Sequence, residues 1–578
     1  MNLETVNTLA NTPPTHTTRV KTLTLVAMCL ALSMTALDDT VVTVALPKLQ
    51  STLAMSVTGL QWIVNGYLLP IACLVLPTGM LGDRMGRQQV FLAGLIIFTS
   101  ASVLVGLSVS GPMVIAGRLL QGLGAAALLP TTLAILSDTF SNPQERTKAI
   151  GIWSGVSGLA LIVGPALGGL LIDSLGWRSI FFLNVPLGTL TFWLTQQTVT
   201  QQTVTQQTAI QKTVIQQNAN NRTKQPGNKR PESQPLDLPG MVLSAVMLAA
   251  FITMLMGVEA SEHLSANTAL GGLLSGLSWR TLSLGVLAVG SALAFWVVET
   301  HSAHPMLPPQ LFRQRTFATV VVVNALLFFM LVSLLFLFSL FLQQVQGHSA
   351  LATGIRFLPL NGAFIAASFA SGYGSARLGW RATITLGFLL AALGALTLSN
   401  LQPEVPYRAL MGQLMLVGFG VGFTLSPLTA AGMGSVPMAQ SGIAAALLNT
   451  STRLGGALGI AIQGSLFTQG LGHHLSEALT ALSIDTSTQS AIVAEAIGHG
   501  ATRANRLQEI VAQSAASPVT LSVEMLEETI HQSFVAGMQT VVWVAAIALL
   551  IGALLSFAYI RASPSPSQSP RQSPRQSP

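Results

Sequence analysis

The chain has 578 residues, half of them hydrophobic and only 8% charged, with a mean hydropathy of +0.61. A soluble protein of this length needs far more charge to cover its surface, so the composition indicates a polytopic membrane protein. The net charge of +7 is scattered over short loops, not gathered in a basic stripe with groove-reading partners, which argues against nucleic-acid binding.

The polar first twenty residues run directly into an apolar stretch, without the short core and small-residue cleavage site of a signal peptide. A span takes about twenty mostly apolar residues. That rule predicts fourteen, at 23–46, 57–80, 88–109, 112–136, 147–172, 179–195, 239–258, 281–299, 316–342, 351–375, 382–400, 407–430, 441–469 and 535–560. Most Lys and Arg fall in alternate loops: Arg19 and Lys21, Arg84 and Arg87, Arg146 and Lys148, 212–230, Arg313 and Arg315, Arg377 and Arg381, and Arg561 onward. This asymmetry predicts that both termini are cytoplasmic. The cysteines, Cys29 and Cys73, fall in expected spans and support neither a disulfide framework nor a zinc site.

The first span holds Leu37-Asp38-Asp39-Thr40-Val41-Val42-Thr43-Val44-Ala45-Leu46-Pro47. An acid in hydrocarbon is costly and faces a bundle interior or a wet cavity. Burial disfavours the charged form of a carboxyl, which makes reversible protonation accessible. Adjacent side chains on a helix diverge by about 100°, so one of the two acids is expected to face the cavity. The alternative is that both acids satisfy structural hydrogen bonds near the outer end.

The link at 79–87 reads Gly79-Met-Leu-Gly82-Asp83-Arg84-Met-Gly86-Arg87. Two spans join this closely only if glycine permits the turn and the charges stay in water. The fourth span carries Arg118-Leu-Leu-Gln121-Gly122-Leu-Gly124. A buried arginine stays charged and needs an acid, carbonyls or water, and Asp38 is the acid to test. The fifth reads Gly151-x3-Gly155-x2-Gly158, then Gly164-Pro165-x2-Gly168-Gly169. Small residues at this spacing make a smooth face for close helix contact, and Pro165 kinks the helix. The entry to the sixth holds Trp177, Arg178, Asn184 and Pro186, read as an interfacial anchor with a structural role.

The polar repeat after position 195, Gln-Gln-Thr-Val-Thr, and the Ser-Pro tail after 562 are expected to be mobile or disordered. Farther on, Gly372 to Arg381 echoes the 79–87 link with Ala376 where an acid would stand, and the thirteenth span holds Asn449 and Arg453. Helical periodicity at 491–512 and 523–534 predicts a partly ordered cap in the long loop 470–534. His473 and His474 in that loop are read as solvated, not as metal ligands. Glu259 and Glu299 are placed near span ends. Neither a phosphate-binding loop nor a hydrolase signature is present, so direct ATP drive and an enzymatic role are not expected.

Taken in order, these segments resemble the major facilitator superfamily, and in particular its fourteen-span drug–proton antiporters. The link at 79–87 is similar to the family's G-x-L-a-D-r-x-G-r loop, and is read as a cytoplasmic gate. Leu37–Pro47 resembles L-D-x-T-x-V-x-V-A-L-P, with Asp38 in place of its acid and Asp39 at the variable position, which makes Asp38 the acid expected to face the cavity. Arg118, Gln121, Gly122 and Gly124 match the motif linked to proton transfer, and Gly151 to Gly169 the exporter motif. Residues 177–188 and 449–459 resemble W-R-x-I-F-x-x-N-x-P-x-G and N-T-x-R-x-x-G-G-A-x-G, so Asn449 and Arg453 are assigned structure.

The resemblance covers 23–195 and 239–560. It implies an all-α polytopic membrane protein of the major facilitator fold, with six-helix bundles at 23–195 and 316–560 and two extra helices at 239–299. A cytoplasmic tail at 1–22, a linker at 196–238 and a tail at 561–578 complete the expected domains. The implied function is proton-coupled efflux of amphipathic drugs, dyes or antibiotic-like molecules across the cytoplasmic membrane by alternating access. An uptake carrier for a small nutrient, or a transporter-derived sensor, are the alternatives. No cofactor or metal is implied beyond the proton as coupling ion. The expected partners are a small-molecule substrate and the bilayer, with the chain a monomer. Some relatives use a periplasmic adaptor, which a Gram-negative source would make relevant here.

Overall fold

The computed structural model describes residues 18–140, 142–198, 238–257, 279–302, 309–437, 440–482, 484–499 and 523–561. Most of the N-terminal tail, the repeat linker, Glu259, the loop segment 500–522 and the C-terminal tail lie outside the described residues.

Among the described residues the chain is helical, without strands. The first helices are α1 (Thr18–Leu53), α2 (Val57–Met85), α3 (Arg87–Gly106), α4 (Gly111–Thr139), α5 (Pro143–Leu175) and α6 (184–198). Then come α7 (Leu238–Gly257), α8 (Trp279–His301) and α9 (Arg315–Leu340). The run Leu358–Thr397 breaks at Gly379, whose φ of 79° separates α10 (358–378) from α11 (380–397). Last are α12 (Tyr407–Gly434), α13 (Ser441–Ala481) and α14 (Val523–Tyr559).

Among the described residues, ten helical stretches meet the length and hydropathy of a membrane span, one of them containing both α10 and α11. α6 is described only to residue 198, and α7 is a shorter apolar helix. α13 carries Asn449, Arg453 and Gln463 among its apolar residues, which lowers its hydropathy.

Local chemistry sets the boundaries. Ser56 caps α2 by accepting from the Gly59 amide, and Asn142 caps α5 by accepting from the Gln144 amide ahead of Pro143. Gly86, at φ 104°, turns α2 directly into α3, a conformation that a Cβ would oppose.

α1–α6 pack together, as do α9–α14, and their partnerships repeat. α1 packs on α5 as α9 does on α13, and α2 and α3 flank α4 as α10 and α11 flank α12. Related halves of this kind suit a rocking transporter. Glycines let the helices approach. A Cβ on Gly122 would lie 2.5 Å from the Tyr67 carbonyl, and one on Gly124 2.6 Å from the Phe98 amide. In the second half Gly420 meets Ala391 and Gly422 meets the Phe364 carbonyl in the same way. α7 and α8 pack on each other, with α7 against α2 and α13, so the extra helices sit beside the two halves.

α13 and α14 run farther than expected, to 481 and from 523, and a separate helix Thr486–His499 lies against their ends. Leu475, Leu479, Ile492, Leu526 and Ile530 form the small core of this cap. His473 and His474 belong to α13 and not to a loop, and the described residues hold no metal-ligating cluster. Asp485 starts the cap helix by accepting from the Thr488 amide at 2.9 Å and from the Ser487 hydroxyl. These bonds pull its carboxyl down to about 2. An unfolded Asp titrates near 3.9, so the cap's contribution is complete above about pH 4 and fades as pH falls through 2. Hydrogen exchange in Thr486–His499, corrected for intrinsic rate, is therefore expected to be the same at pH 5 and pH 7, whereas Asp485→Ala frays the first turn at both.

Candidate functional site

Asp38 lies on α1, 4% exposed, and its carboxylate is enclosed by α4 and α6. Arg118 Nη1 pairs with its Oδ2, while the side-chain amides of Gln121 and Asn184 donate to its Oδ1, each at 3.3 Å. Arg118 is as deeply buried. Its Nε donates to the Ile63 carbonyl at 3.1 Å, Nη1 also reaches Gln121 Oε1 at 3.0 Å, and its plane lies 4.3 Å from the Tyr67 ring. Ser102 of α3 closes the network by accepting from Gln121 at 2.6 Å and from Asn184 at 3.1 Å. Five helices thus hold one buried ion pair.

Desolvating two charges costs several kcal/mol each, which their mutual attraction offsets only when the remaining polar atoms are also bonded. The amides and hydroxyl around Asp38 meet that condition. The expected Asp38–Arg118 pairing is present, and Gln121 belongs with it. Asn184, read from sequence as a structural anchor, donates directly to the carboxylate, and Ser102 carried no signal at all. Pro186 lies in the first turn of α6, where its missing amide costs nothing. Trp177 is buried among protein side chains. Arg178 stacks over it at 4.4 Å and donates to the Ser108 carbonyl at 2.9 Å, holding the entry to α6.

A central cavity of about 610 Å³ lies between the halves, a size suited to small molecules. Leu68, Leu129, Phe328, Leu335 and Phe364 are among its apolar walls, and Asn324, Asn361 and Asn449 among its polar ones. Here the structure corrects the sequence reading. The acid that faces the cavity is Asp39, and Asp38 is turned into the first half. The helix rotation between neighbours is the cause. Arg453 and Asn449, assigned structure, also line the cavity, and Arg453 Nη1 pairs with Asp39 Oδ2 at 2.5 Å.

The halves meet on the face opposite the described termini. Ser339 donates to the Thr43 carbonyl at 2.8 Å, Gln343 to the Val44 carbonyl at 2.9 Å, and Gln344 to Gln50 at 2.6 Å. Asp173 accepts from the Leu351 amide at 2.9 Å. The glycine motif of α5 divides at this point. Gly164 and Gly168 press on Thr40 and Val41 of α1, and Gly169 on the backbone of Ala350 and Leu351, as close packing requires. Gly151, Gly155 and Gly158 do not conform to the expected close contact: a Cβ on any of them would meet nothing within 4 Å. Gly372, toward the far end of α10, is equally open, so the halves part toward the terminal face.

On that face Arg87 joins three elements. It meets Asp83 of α2 at 2.8 Å and Asp138 of α4 at 2.7 Å, and donates to the Ala134 carbonyl at 3.3 Å. Arg84 is exposed nearby. Gly79 and Gly82 face Pro130 and Thr131 of α4. In this state the link's ion pairs stay within the first half, and Asp138 was not singled out from sequence. Exposed pairs contribute about 0–1 kcal/mol each. Arg87→Gln is therefore expected to lower stability by no more than about 2 kcal/mol, read as a small shift in a detergent melting curve.

A family model for the Major Facilitator Superfamily matches residues 28–460. Multidrug resistance protein Stp of Mycobacterium tuberculosis is 32% identical over 78% of this chain and 76% of its own. The tetracenomycin C resistance and export protein of Streptomyces glaucescens is 29% identical over 94% and 92%, and the methylenomycin A resistance protein of Bacillus subtilis 29% over 76% and 86%. Among solved structures, a bacterial homologue of the human lysosomal transporter Spinster, inward-facing and unoccupied, superposes with a TM-score of 0.57 at 17% identity. That match covers 95% of this chain and all of the other, and speaks to the fold. With its two related halves around one cavity, this multi-pass membrane protein belongs to the major facilitator superfamily.

Proposed function

We propose that the chain exports amphipathic drugs or antibiotic-like molecules across the cytoplasmic membrane in exchange for protons. The observation that carries this reading is the buried Asp38–Arg118 pair beside a largely apolar cavity. A carboxylate so enclosed exchanges its charge for a proton at modest cost only if its arginine can be compensated elsewhere. Arg118 also reaches the cavity wall, so the proton site and the cargo site share a residue. The resistance and export functions in the names of the relatives support the direction of transport.

The basic residues at 84, 87, 146, 148, 313, 315 and 377 favour a cytoplasmic terminal face. On that reading the cavity opens inward, ready to take cargo from the cytoplasm or inner leaflet, and the opposite face is sealed. The Asp83–Arg87–Asp138 cluster then acts as a cytoplasmic gate element, whose modest energies suffice to bias two states of similar free energy.

Cells expressing the chain are expected to accumulate less of a fluorescent lipophilic dye than control cells, and an uncoupler is expected to erase that difference. Equal accumulation with and without the chain, over a panel of dyes and antibiotics, contradicts drug export. Export that survives the uncoupler contradicts proton drive.

A further inference from the structure

The cavity holds a second ion pair that joins the two halves. Asp39 of α1 and Arg453 of α13 meet at 2.5 Å, with side-chain exposures of 21% and 18%. Arg118 lines the same cavity from α4, and Tyr67 of α2 lies against it. Tyr67, Asp39, Arg118 and Arg453 line one cavity, and Asp38 pairs with Arg118 behind it, so two acids and two arginines lie at one junction. The other groups facing Asp38 are uncharged: Gln121, Asn184 and Ser102 at its edge.

A proton on Asp38 changes that balance. It leaves one carboxylate, Asp39, for two guanidinium groups. Arg118, 1% exposed, loses its charged partner while fully enclosed, and an unpaired charge costs more there than at the 18% exposed Arg453 on the cavity wall. Arg453 is the more exposed of the two.

We infer that Asp39 is a transferable counter-ion: paired with Arg453 while Asp38 is ionised, and drawn to Arg118 when Asp38 takes a proton, which releases the tie between the halves. The inference rests on the proton-coupled reading for its role in transport. It deepens that reading by naming the residue pair through which protonation within one half frees the two halves to separate. Asp39 is thus a positioning residue, acting through Arg118 and Arg453.

The test uses the purified full chain in detergent and needs no cargo. Melting temperatures are measured for Asp39→Asn, Arg453→Gln and the double substitution, each with Asp38 intact and with Asp38→Asn, which fixes the proton site as neutral. With Asp38 intact at pH 8, each single change is expected to lower the melting temperature by about 3 °C or more, and the double change to add little. With Asp38→Asn, Arg453→Gln is expected to cost under about 1 °C, whereas Asp39→Asn stays costly and now shows coupling to Arg118→Gln. An equal cost of Arg453→Gln in both backgrounds overturns the inference, since a fixed tie behaves that way. If the Asp38→Asn chain does not fold, wild type and Arg453→Gln are compared from pH 8 to pH 5. A difference that shrinks on acidification supports the transfer, and parallel curves overturn it. A chain that passes this test yet moves no dye with a proton gradient refutes the export reading alone.

Discussion

Asp38→Asn is expected to bring a proton-driven cargo gradient to unity while leaving downhill exchange of cargo measurable. One pH unit is worth about 1.4 kcal/mol per proton, so a one-for-one exchange sustains roughly a tenfold cargo ratio. The variant keeps the shape of the side chain but removes its titration, and therefore the coupling, while the cavity walls stay in place. Stability falls as well, because Arg118 loses the carboxylate it is paired with, a loss of about 3–5 kcal/mol where no other charge takes its place. The Ile63 carbonyl and Gln121 Oε1, both already bonded to Arg118, reduce that loss. Folded yield is checked by gel filtration, and transport is compared per folded molecule. A wild-type gradient in Asp38→Asn would remove this residue from the coupling mechanism.

Gly169→Val has the second large effect, and acts on the opposite end of the cycle. A Cβ at Gly169 would sit 2.5 Å from both the Ala350 carbonyl oxygen and the Leu351 Cα. Both are backbone atoms at the start of the short helix Ala350–Arg356, so no side-chain rotation relieves the clash. Closure of this face is expected to fail, shifting the population toward a state open there and lowering transport more than tenfold, the factor of about 1.4 kcal/mol. The measurement is labelling of Thr43→Cys by an impermeant thiol reagent from the outside, with Cys29 and Cys73 replaced by Ser. Labelling is expected to be several-fold faster in Gly169→Val. Gly155→Val, whose added Cβ meets nothing within 4 Å in this state, is expected to leave the rate at or below that of the parent. Equal rates for the parent and Gly169→Val would show that α5 does not seal the face opposite the termini through this contact.

The fold was legible because its determinants are local. A run of about twenty apolar residues specifies a span wherever it occurs, and the glycines at 79, 82 and 86 mark a tight link whatever the helices around it do. The buried ion pair was legible for a related reason: Asp38, Arg118 and Gln121 are conspicuous as polar groups in apolar spans. What they touch was only partly legible. Asn184 follows a Trp-Arg pair that reads as an interfacial anchor, yet its amide turns inward to Asp38. Which of two adjacent acids faces the cavity depends on helix rotation, which the order of residues along α1 leaves undetermined. The Asp39–Arg453 pair joins positions 414 residues apart, and nothing near either residue points to the other. The sealing contacts of Ser339, Gln343 and Gln344 were missed because they use neutral side chains on a helix end, indistinguishable in sequence from a polar span boundary. The α5 glycines show a further limit. Spacing identifies a smooth face, but only the conformational state decides which part of it is covered.

The account depends on a carboxyl at Asp38 that gives up and takes a proton as cargo moves. The most direct measurement is made in proteoliposomes containing the purified chain, with a transported dye on both sides at equal concentration and an imposed pH difference. The account predicts that dye moves uphill toward the acidic compartment and protons move the other way, both only while Asp38 is present and the pH difference lasts. Dye flux that ignores the pH difference, or a proton flux unchanged in Asp38→Asn, would contradict it.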